Sequence, residues 1–268
     1  MSILKNTVRN GAFTSSEIVK LTTLSTSKKD FGAPAKTYIE ETNIERYLDD
    51  AIDGDVDSKP TYWGSMVEPR VHELLSTEYE YTSDITNVHP EIPYWVGSAD
   101  GFRNNIDKSL RAAIDIKCPM TKKSFVKLVL PLYLGLTGME VIYAIRDGFN
   151  HKGTEYSKHT DGAKYYWQIV SNAIINGCNW GELIVYMPFQ SELLEINNSC
   201  MEDQQRWLQY NAGAIPFLKD GGFFNNINVI RFKIPQEDKD FLTAQVLKAG
   251  EMLISPSEIL MPSIKQTA

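Results

Sequence analysis

The sequence is poor in cysteine, with only three among 268 residues, and these three lie far apart in the chain. An odd number of widely spaced cysteines forms neither a disulfide framework nor the paired ligand spacing of a zinc site. Three cysteines also argue against an iron–sulfur cluster held by four. The sequence therefore predicts a protein of a reducing compartment. The cysteines are Cys118, Cys178 and Cys200.

Positive charge is scarce as well. Lys and Arg number 27 against 34 Asp and Glu, so the formal net charge is -7. This balance argues against a protein that coats DNA through a general basic surface. An enzyme with a local basic groove stays compatible, because acidic metal ligands and a solvated exterior enter the same sum.

Long apolar runs are missing too. The longest uncharged run, residues 165–181, contains Gln, Ser and Asn, so it does not have the composition of a membrane span. The N-terminus has no basic segment followed by an apolar one, as a secretory signal would. We therefore expect a soluble cytoplasmic protein with no membrane partner.

Helical and strand patterns are both present, without repeats or low-complexity blocks. Extended pieces flank a turn-rich segment, GFRNNIDK, which predicts a hairpin between residues 87–100 and 109–117. Pro69 is expected near the start of its helix. The whole pattern predicts one α/β domain over residues 1–268, with a central mixed β-sheet flanked by helices. The predicted helices are 38–50, 64–79, 164–177 and 236–253, and the remaining strands are 181–189 and 228–234.

The stretch 143–162 interrupts this pattern, because it is polar and rich in glycine. We interpret it as a loop insertion, and both a functional loop and a disordered one are open at this point. His151 and His159 lie in it without Cys or carboxylate partners at ligand spacing, so we expect them to be solvent-exposed rather than metal-bound.

The segment AAIDIKCP places an aspartate and a lysine inside an apolar strand. Strand alternation puts Asp115 and Lys117 on one face and Ile114 and Ile116 on the other. Burying these charges is costly unless each is compensated. A half-buried salt bridge is one interpretation, and a catalytic or metal site is the other.

Asp100 favours the second interpretation. If its strand pairs with the next as a hairpin, Asp100 approaches Asp115, and two close carboxylates repel unless a cation lies between them. Such hard oxygen ligands suit magnesium or manganese. The carbonyl of Ile116 and the carboxylate of Glu68 could complete the set, although spacing alone makes Glu68 an ordinary exposed helix residue.

The N-terminal segment RNGAFTSS combines an arginine with hydroxyl side chains at a glycine. Such a group can form a compact pocket for an oxyanion. A second interpretation is that Ser15 or Ser16 caps the helix predicted after it. The two are compatible, since a capped helix N-terminus also attracts phosphate.

Five short motifs carry a resemblance to a known family. In chain order they read RNGAFTSS, WGSMVE, GSADG, IDIKCP and YYWQ. Together they resemble the PD-(D/E)XK nuclease superfamily, and most of all its phage lambda exonuclease and YqaJ-like viral recombinase branch, over about residues 9–190. Asp115 is a departure, because this branch more often has Glu there, but the superfamily accepts either.

This resemblance implies a fold, a reaction and a set of residue roles. The fold is that of PD-(D/E)XK nucleases. The reaction is Mg²⁺-dependent 5′→3′ digestion of double-stranded DNA, with Mn²⁺ as a substitute, which leaves 3′ single-stranded tails for phage-type recombination. The implied catalytic residues are Glu68, Asp100, Asp115, Lys117 and Gln168, the metal ligands are Glu68, Asp100, Asp115 and Ile116, and the groups for a 5′-phosphate are Arg9, Thr14, Ser16, Ser98 and Lys123.

The resemblance also implies partners. These are a DNA duplex with a 5′-phosphate end, further copies of the chain in a trimeric ring, and a single-strand annealing protein, in a phage or its bacterial host. An endonuclease or structure-specific nuclease of the same superfamily is the alternative function. A non-catalytic DNA-binding module is a third, which the intact acidic residues and Lys117 disfavour.

Overall fold

The computed structural model of the chain describes residues 8–52, 58–104, 107–202 and 215–255, without the side chains of residues 199–202. Its strands are β1 (Phe13–Thr14), β2 (Tyr79–Tyr81), β3 (Asn87–Val88), β4 (Trp95–Gly97), β5 (Gly101–Arg103), β6 (Ala112–Lys117), β7 (Phe149–His151), β8 (Thr154–Tyr156), β9 (Trp180–Tyr186) and β10 (Ile227–Lys233). Its α-helices are α1 (Ala33–Leu48), α2 (Lys59–Leu74), α3 (Lys122–Tyr133), α4 (Met139–Asp147), α5 (Gly162–Ile175), α6 (Leu193–Glu202) and α7 (Gln236–Gly250).

A mixed five-stranded sheet forms the centre, in the order β10-β9-β6-β5-β2. Strand β6 lies in the middle, parallel to β9 and antiparallel to β5. A smaller sheet, β1-β4-β3, and the hairpin β7-β8 lie outside it. The predicted α/β arrangement with a central mixed sheet is therefore observed, and the strand that carries Asp115 is enclosed on both edges.

Two apolar cores cover the faces of the sheet. On one face Trp63, Val67 and Val71 of α2 pack with Ile114 and Ile116 of β6. The larger core, on the other face, joins helices α1, α3, α4, α5 and α7 to Ala113 and to strands β9 and β10. Alternation along β6 therefore gives both isoleucines to the α2 side and leaves Asp115 on the side of α5.

Helix boundaries follow from capping residues. Ser58 accepts a hydrogen bond from the Thr61 N–H at the start of α2, and Thr121 accepts one from the Ser124 N–H at the start of α3. Because α2 begins at Lys59, Pro69 lies inside the helix, and the prediction that placed it near the start is wrong. Proline has no N–H, so residue 69 gives no bond to the carbonyl of Ser65, one turn earlier.

Two predictions made for loops differ from the structure. The segment 101–108, predicted as a hairpin turn, contains strand β5, whose Gly101 pairs with Ile114. The stretch 143–162, predicted as a loop, holds the end of α4, the β7-β8 hairpin and the first residue of α5. Short strands of three residues depend on tertiary contacts more than on their own periodicity, which explains why the sequence pattern misses them.

Within the part of the chain that the structure describes, no α-helix has the length and hydropathy needed to cross a membrane.

The contact between β4 and α5 depends on the absence of a side chain at Gly97. A Cβ there would collide with the Ser15 hydroxyl and the Asn172 side-chain oxygen. We expect Gly97→Ala to lower the free energy of unfolding by about 1–3 kcal/mol through overpacking. Gly64→Ala is the matched control: its Cβ would meet nothing within 4 Å, so it should raise stability by about 0.5–1 kcal/mol as a helical substitution. Chemical denaturation of both variants tests this, and equal stabilities would contradict it.

Candidate active site

The end of β6 brings Asp100 against the backbone of Ile116. Asp100 lies directly before β5, and its N–H donates to the carbonyl of Ile114 at 3.3 Å. Its carboxylate Oδ2 accepts from the Ile116 N–H at 2.6 Å. Since the N–H and C=O of one strand residue point to the same side, the Ile116 carbonyl is directed to this edge as well. Two of the predicted metal ligands are thus adjacent.

Asp115 and Lys117 form an ion pair beside this edge. Lys117 Nζ lies 2.8 Å from Asp115 Oδ1, and Asp115 is only 1% exposed. The other carboxylate oxygen, Oδ2, is buried and has no hydrogen-bond partner among the described residues. Lys117 also lies over the ring of Tyr165, 5.0 Å from its centre. A buried carboxylate with one oxygen left over is costly as it stands, and points to a ligand.

Burial and mutual repulsion shift the protonation of this group. Burial, and then the nearby charge of Asp115, raise the pKa of Asp100 well above its ordinary value. Burial likewise raises the pKa of Asp115, although Lys117 opposes the shift. Burial alone would lower the pKa of Lys117, but the charges of Asp115 and Asp100 outweigh it and raise that pKa. The carboxylates therefore gain from any added positive charge.

Glu68 of α2 contributes a third carboxylate to the same region. Burial raises its pKa, and the charge of Lys117 opposes this shift. The Tyr81 hydroxyl donates to Glu68 Oε1 at 3.3 Å. Glu68, Ile116 and Lys117 line one cleft of about 440 Å³ together with Tyr165 of α5. Glu68 is therefore part of the site and not an ordinary exposed helix residue.

Gln168 lies on the cleft-forming helix α5. It follows Lys164 by four residues and Tyr165 by three, so the three side chains share a helix face. Lys164 donates to Glu17 Oε1 at 2.8 Å. Gln168 is half-buried, and the structure gives its side chain no hydrogen bond within the described residues. Its predicted catalytic role therefore stays a prediction.

The side chains of Arg9, Thr14 and Ser16 lie close together, and their predicted role in binding an oxyanion stays a prediction. Arg9 Nη2 lies 3.5 Å from Ser16 Oγ, and the Thr14 and Ser16 hydroxyls are 3.2 Å apart. The helix-cap interpretation is wrong. Ser15 is buried and bonded to Ser171, and the 3-10 turn that follows has Glu17 at its start without a side-chain cap.

Ser98 and Lys123, the other two residues predicted to bind the 5′-phosphate, are not bonded to Arg9, Thr14 or Ser16 in the described part of the chain. The Ser98 hydroxyl is 3.0 Å from that of Thr86. Ser98 directly follows β4, in which Val96 pairs with Thr14. Lys123 is exposed on the first turn of α3, where it lines a second cavity, and the structure records no contact from it to the other four.

A serine–histidine pair at the cleft was missed from the sequence. Ser124, which lines the cleft, lies 2.7 Å from His159 Nε2, and His159 is 4% exposed. The expectation of an exposed histidine is therefore wrong for His159. Its Nδ1 accepts from the Asp161 N–H, so Nε2 carries the proton and donates to Ser124. The serine hydroxyl is left free to donate into the cleft. No local sequence signal joins residues 35 apart.

A divalent cation needs several oxygen donors close together. Within the described residues no three His, Cys, Asp or Glu side chains are gathered closely enough to hold one. Asp100 nevertheless bonds to the backbone of Ile116, the residue after Asp115, whose Oδ2 is free, and carboxylate and carbonyl oxygens are hard donors. These residues fit a cation of the magnesium type, and Glu68 lines the same cleft.

Residues 6–133 match the model of the YqaJ-like viral recombinase domain. The match bears out the resemblance over the four motifs inside it, whereas YYWQ lies outside the matched residues. None of the curated proteins compared with the chain matches it.

Solved exonuclease structures share the fold. The chain is 15% identical to an alkaline exonuclease from Laribacter hongkongensis, over 97% of this chain and 95% of that one, with a TM-score of 0.55. A complex of that exonuclease with dAMP has 14% identity, the same coverage and a TM-score of 0.55. A phage-related exonuclease from Haemophilus somnus 129PT has 13% identity, coverage of 93% and 95%, and a TM-score of 0.56. The predicted fold class is confirmed.

The raised pKa of Asp100 predicts a pH-dependent stability in the absence of metal. Folding favours its protonated form, so its contribution to stability is present below its ordinary pKa of 3.8 and is lost as the pH rises through the raised value. Asp100→Asn has no ionisable group at this position, so the variant does not lose this stability as the pH rises. With a chelator present, the stability of the variant minus that of the wild type should therefore increase with pH.

Asp107→Asn is the control, because the hydroxyl and N–H of Ser109 lower the pKa of Asp107 and reverse the sign. Urea denaturation at several pH values measures both differences. A difference for Asp100→Asn that does not change with pH would contradict the assigned cause.

Proposed function

We propose that this chain, whose residues 6–133 match the YqaJ-like viral recombinase domain, is a Mg²⁺-dependent 5′→3′ exonuclease of double-stranded DNA. It is an enzyme that hydrolyses phosphodiesters and leaves 3′ single-stranded tails for recombination. The observation that carries the proposal is the end of β6, where Asp115 pairs with Lys117 and Asp100 bonds to the Ile116 N–H, beside a cleft that Ile116, Lys117 and Glu68 line.

Asp100, Asp115 and the Ile116 carbonyl would hold the magnesium ion, with Glu68 as a further ligand and Mn²⁺ as a substitute. The unpaired Oδ2 of Asp115 and the raised pKa of all three carboxylates support this set. Bound there, the ion would supply charge stabilisation for the phosphate oxygens and a more acidic water.

The remaining cleft residues act on the phosphate and the attacking water. Lys117, fixed by its bond to Asp115, places a positive charge at the cleft wall, where charge builds on the scissile phosphate. Ser124 offers a hydroxyl proton that His159 leaves free. Gln168, on the same face of α5 as Tyr165, hydrogen-bonds near the attacking water.

The cluster of Arg9, Thr14 and Ser16 supports the 5′→3′ direction, since it suits a terminal phosphate. Glu17, the residue after Ser16, is bonded to Lys164 of α5, which connects the cluster to the helix that borders the cleft. Ser98 and Lys123 complete the set of residues that bind the 5′-phosphate in this proposal.

Release of single nucleotides distinguishes an exonuclease from an endonuclease. The Laribacter hongkongensis exonuclease was crystallised with dAMP, a mononucleotide, which supports exonucleolytic action in this fold. The chain would act in the cytoplasm as a homotrimeric ring around DNA and hand its product to a single-strand annealing protein.

A linear and a closed circular duplex test the reaction. With magnesium, the wild type should digest 5′-phosphorylated linear duplex and leave the closed circle intact. Asp115→Asn and Asp100→Asn should each slow digestion on the order of a hundredfold or more, because several kcal/mol of charge stabilisation are lost. Asp240→Asn, at an exposed position of α7, is the matched control.

Cutting of the circle would favour the endonuclease alternative. Undiminished digestion by both Asp100→Asn and Asp115→Asn would remove the assigned site. Melting of each variant by circular dichroism separates loss of chemistry from loss of fold.

The N-terminal cluster predicts a preference for phosphorylated ends. A hydrogen bond to a charged group contributes about 1.5–3 kcal/mol, so Arg9→Ala should slow digestion of 5′-phosphate ends by roughly 10- to 150-fold. Digestion of 5′-hydroxyl ends should change much less, since no terminal phosphate fills the pocket there.

The measurement compares wild type and Arg9→Ala on duplexes that differ only at the 5′ terminus. Equal wild-type rates on the two ends would rule out the phosphate pocket. An equal slowing of Arg9→Ala on both ends would instead give Arg9 a structural role.

A further inference from the structure

A second cavity, of about 510 Å³, lies between α3 and the β7-β8 hairpin. This cavity is separate from the catalytic cleft. Lys123, one of the residues proposed to bind the 5′-phosphate, lines it. Val126 and Leu130 of α3 form apolar wall, and Lys122, Lys123 and Lys127 of the same helix add positive charge. A cavity of this size accommodates a small organic group.

An aromatic pair forms the opposite wall. Phe149 and Tyr156 face each other across the hairpin, with ring centres 4.7 Å apart and planes 11° apart. Both rings are half-buried and both line the cavity. Stacked rings present a flat π surface, and such surfaces bind nucleobases of any sequence.

Charge around the cavity favours a polyanion. Lys122 and Lys123 are exposed, whereas Glu155 is the acidic residue of the lining. The chain as a whole has a net charge of -7, so this local excess of lysine runs against the general charge of the molecule. Phosphates linked in a strand provide negative charge and bases together.

The first turn of α3 separates the cavity from the catalytic cleft. Thr121 and Ser124 line the cleft, while Lys122 and Lys123 line the cavity. The cleft and the cavity therefore lie on two sides of the same helical turn.

The hairpin is fixed against α3 without a ligand. Lys127 Nζ donates to Ser157 Oγ at 2.9 Å and to the Lys158 carbonyl at 3.1 Å, and His159 bonds to Ser124. Gly148 enters the hairpin at φ +85°, where a Cβ would lie 2.7 Å from the carbonyl oxygen of Tyr156. The cavity is therefore preformed, and binding loses little conformational freedom.

We propose that this cavity binds an unpaired segment of single-stranded DNA, about one or two nucleotides long. The rings of Phe149 and Tyr156 stack against a base, and Lys122 contacts a phosphate. The inference rests on the proposed nuclease function and states where the DNA lies once its end is unpaired.

The aromatic wall is tested by binding without cleavage. A fluorescent oligothymidylate of about 12 nucleotides, mixed with protein and a chelator, reports affinity by anisotropy. Tyr156→Ala should weaken binding about 5- to 150-fold, as expected for loss of one base–aromatic stack. Tyr156→Phe keeps the ring and should bind like the wild type, as should Tyr47→Ala, an exposed aromatic on α1.

The lysines are tested independently of the hairpin. Removing one phosphate contact to a single strand lowers the slope of log affinity against log salt by about 0.7. Lys122→Gln should show this decrease, whereas Lys233→Gln, an exposed lysine on β10, should keep the wild-type slope.

Wild-type affinity in Tyr156→Ala, or an unchanged slope in Lys122→Gln, overturns the proposal. Decaglutamate that binds as tightly as the oligonucleotide, with the same dependence on Tyr156, also overturns it in favour of an acidic protein partner. Digestion of linear duplex with magnesium is measured in parallel. Normal digestion without oligonucleotide binding refutes the cavity alone, and Tyr156-dependent binding without digestion refutes the nuclease function alone.

Discussion

The need to compensate charge at the end of β6 governs the arrangement around it. Asp115 belongs to the central strand of the sheet and is almost fully enclosed. An isolated carboxylate in that position is strongly disfavoured, and Lys117 satisfies only one of its oxygens. Asp100 adds a second carboxyl group there, held by the Ile116 N–H. The cleft is therefore built around a deficit of positive charge, which the proposed metal ion would supply.

Much of this edge could be predicted from the sequence, because a charge inside an apolar strand is a strong local signal. The pairing that brings Asp100 towards Asp115 was also predicted, but with the wrong strand boundaries. Asp100 precedes β5 instead of ending a strand, and the residues taken as a turn form the pairing strand. Asp100 still lies near Asp115 despite this error, because the antiparallel partner of Ile114 is Gly101, the residue directly after Asp100.

The rest divides into elements that were overlooked and contacts that local sequence does not contain. Helices α3 and α4 were overlooked although their apolar residues follow a helical period, whereas the β7-β8 hairpin has strands of only three residues. His159 is buried by contacts with α3 and α5, including Ser124 and Tyr165. From the sequence it looked like an exposed residue of a polar loop. Tertiary contacts of this kind decide burial where local composition does not.

A second buried acid in the same sheet shows why Asp115 stands out. Glu182 of β9 is fully buried and is the register partner of Ile114. Its oxygens are satisfied by Arg103 and Arg231 and by the Tyr79 hydroxyl. Two arginines and a phenol leave Glu182 no capacity for a ligand, so its burial is structural. Asp115 is buried to a similar degree but keeps an oxygen without a partner. Burial alone does not distinguish a functional carboxylate from a structural one, whereas unsatisfied hydrogen-bonding capacity does.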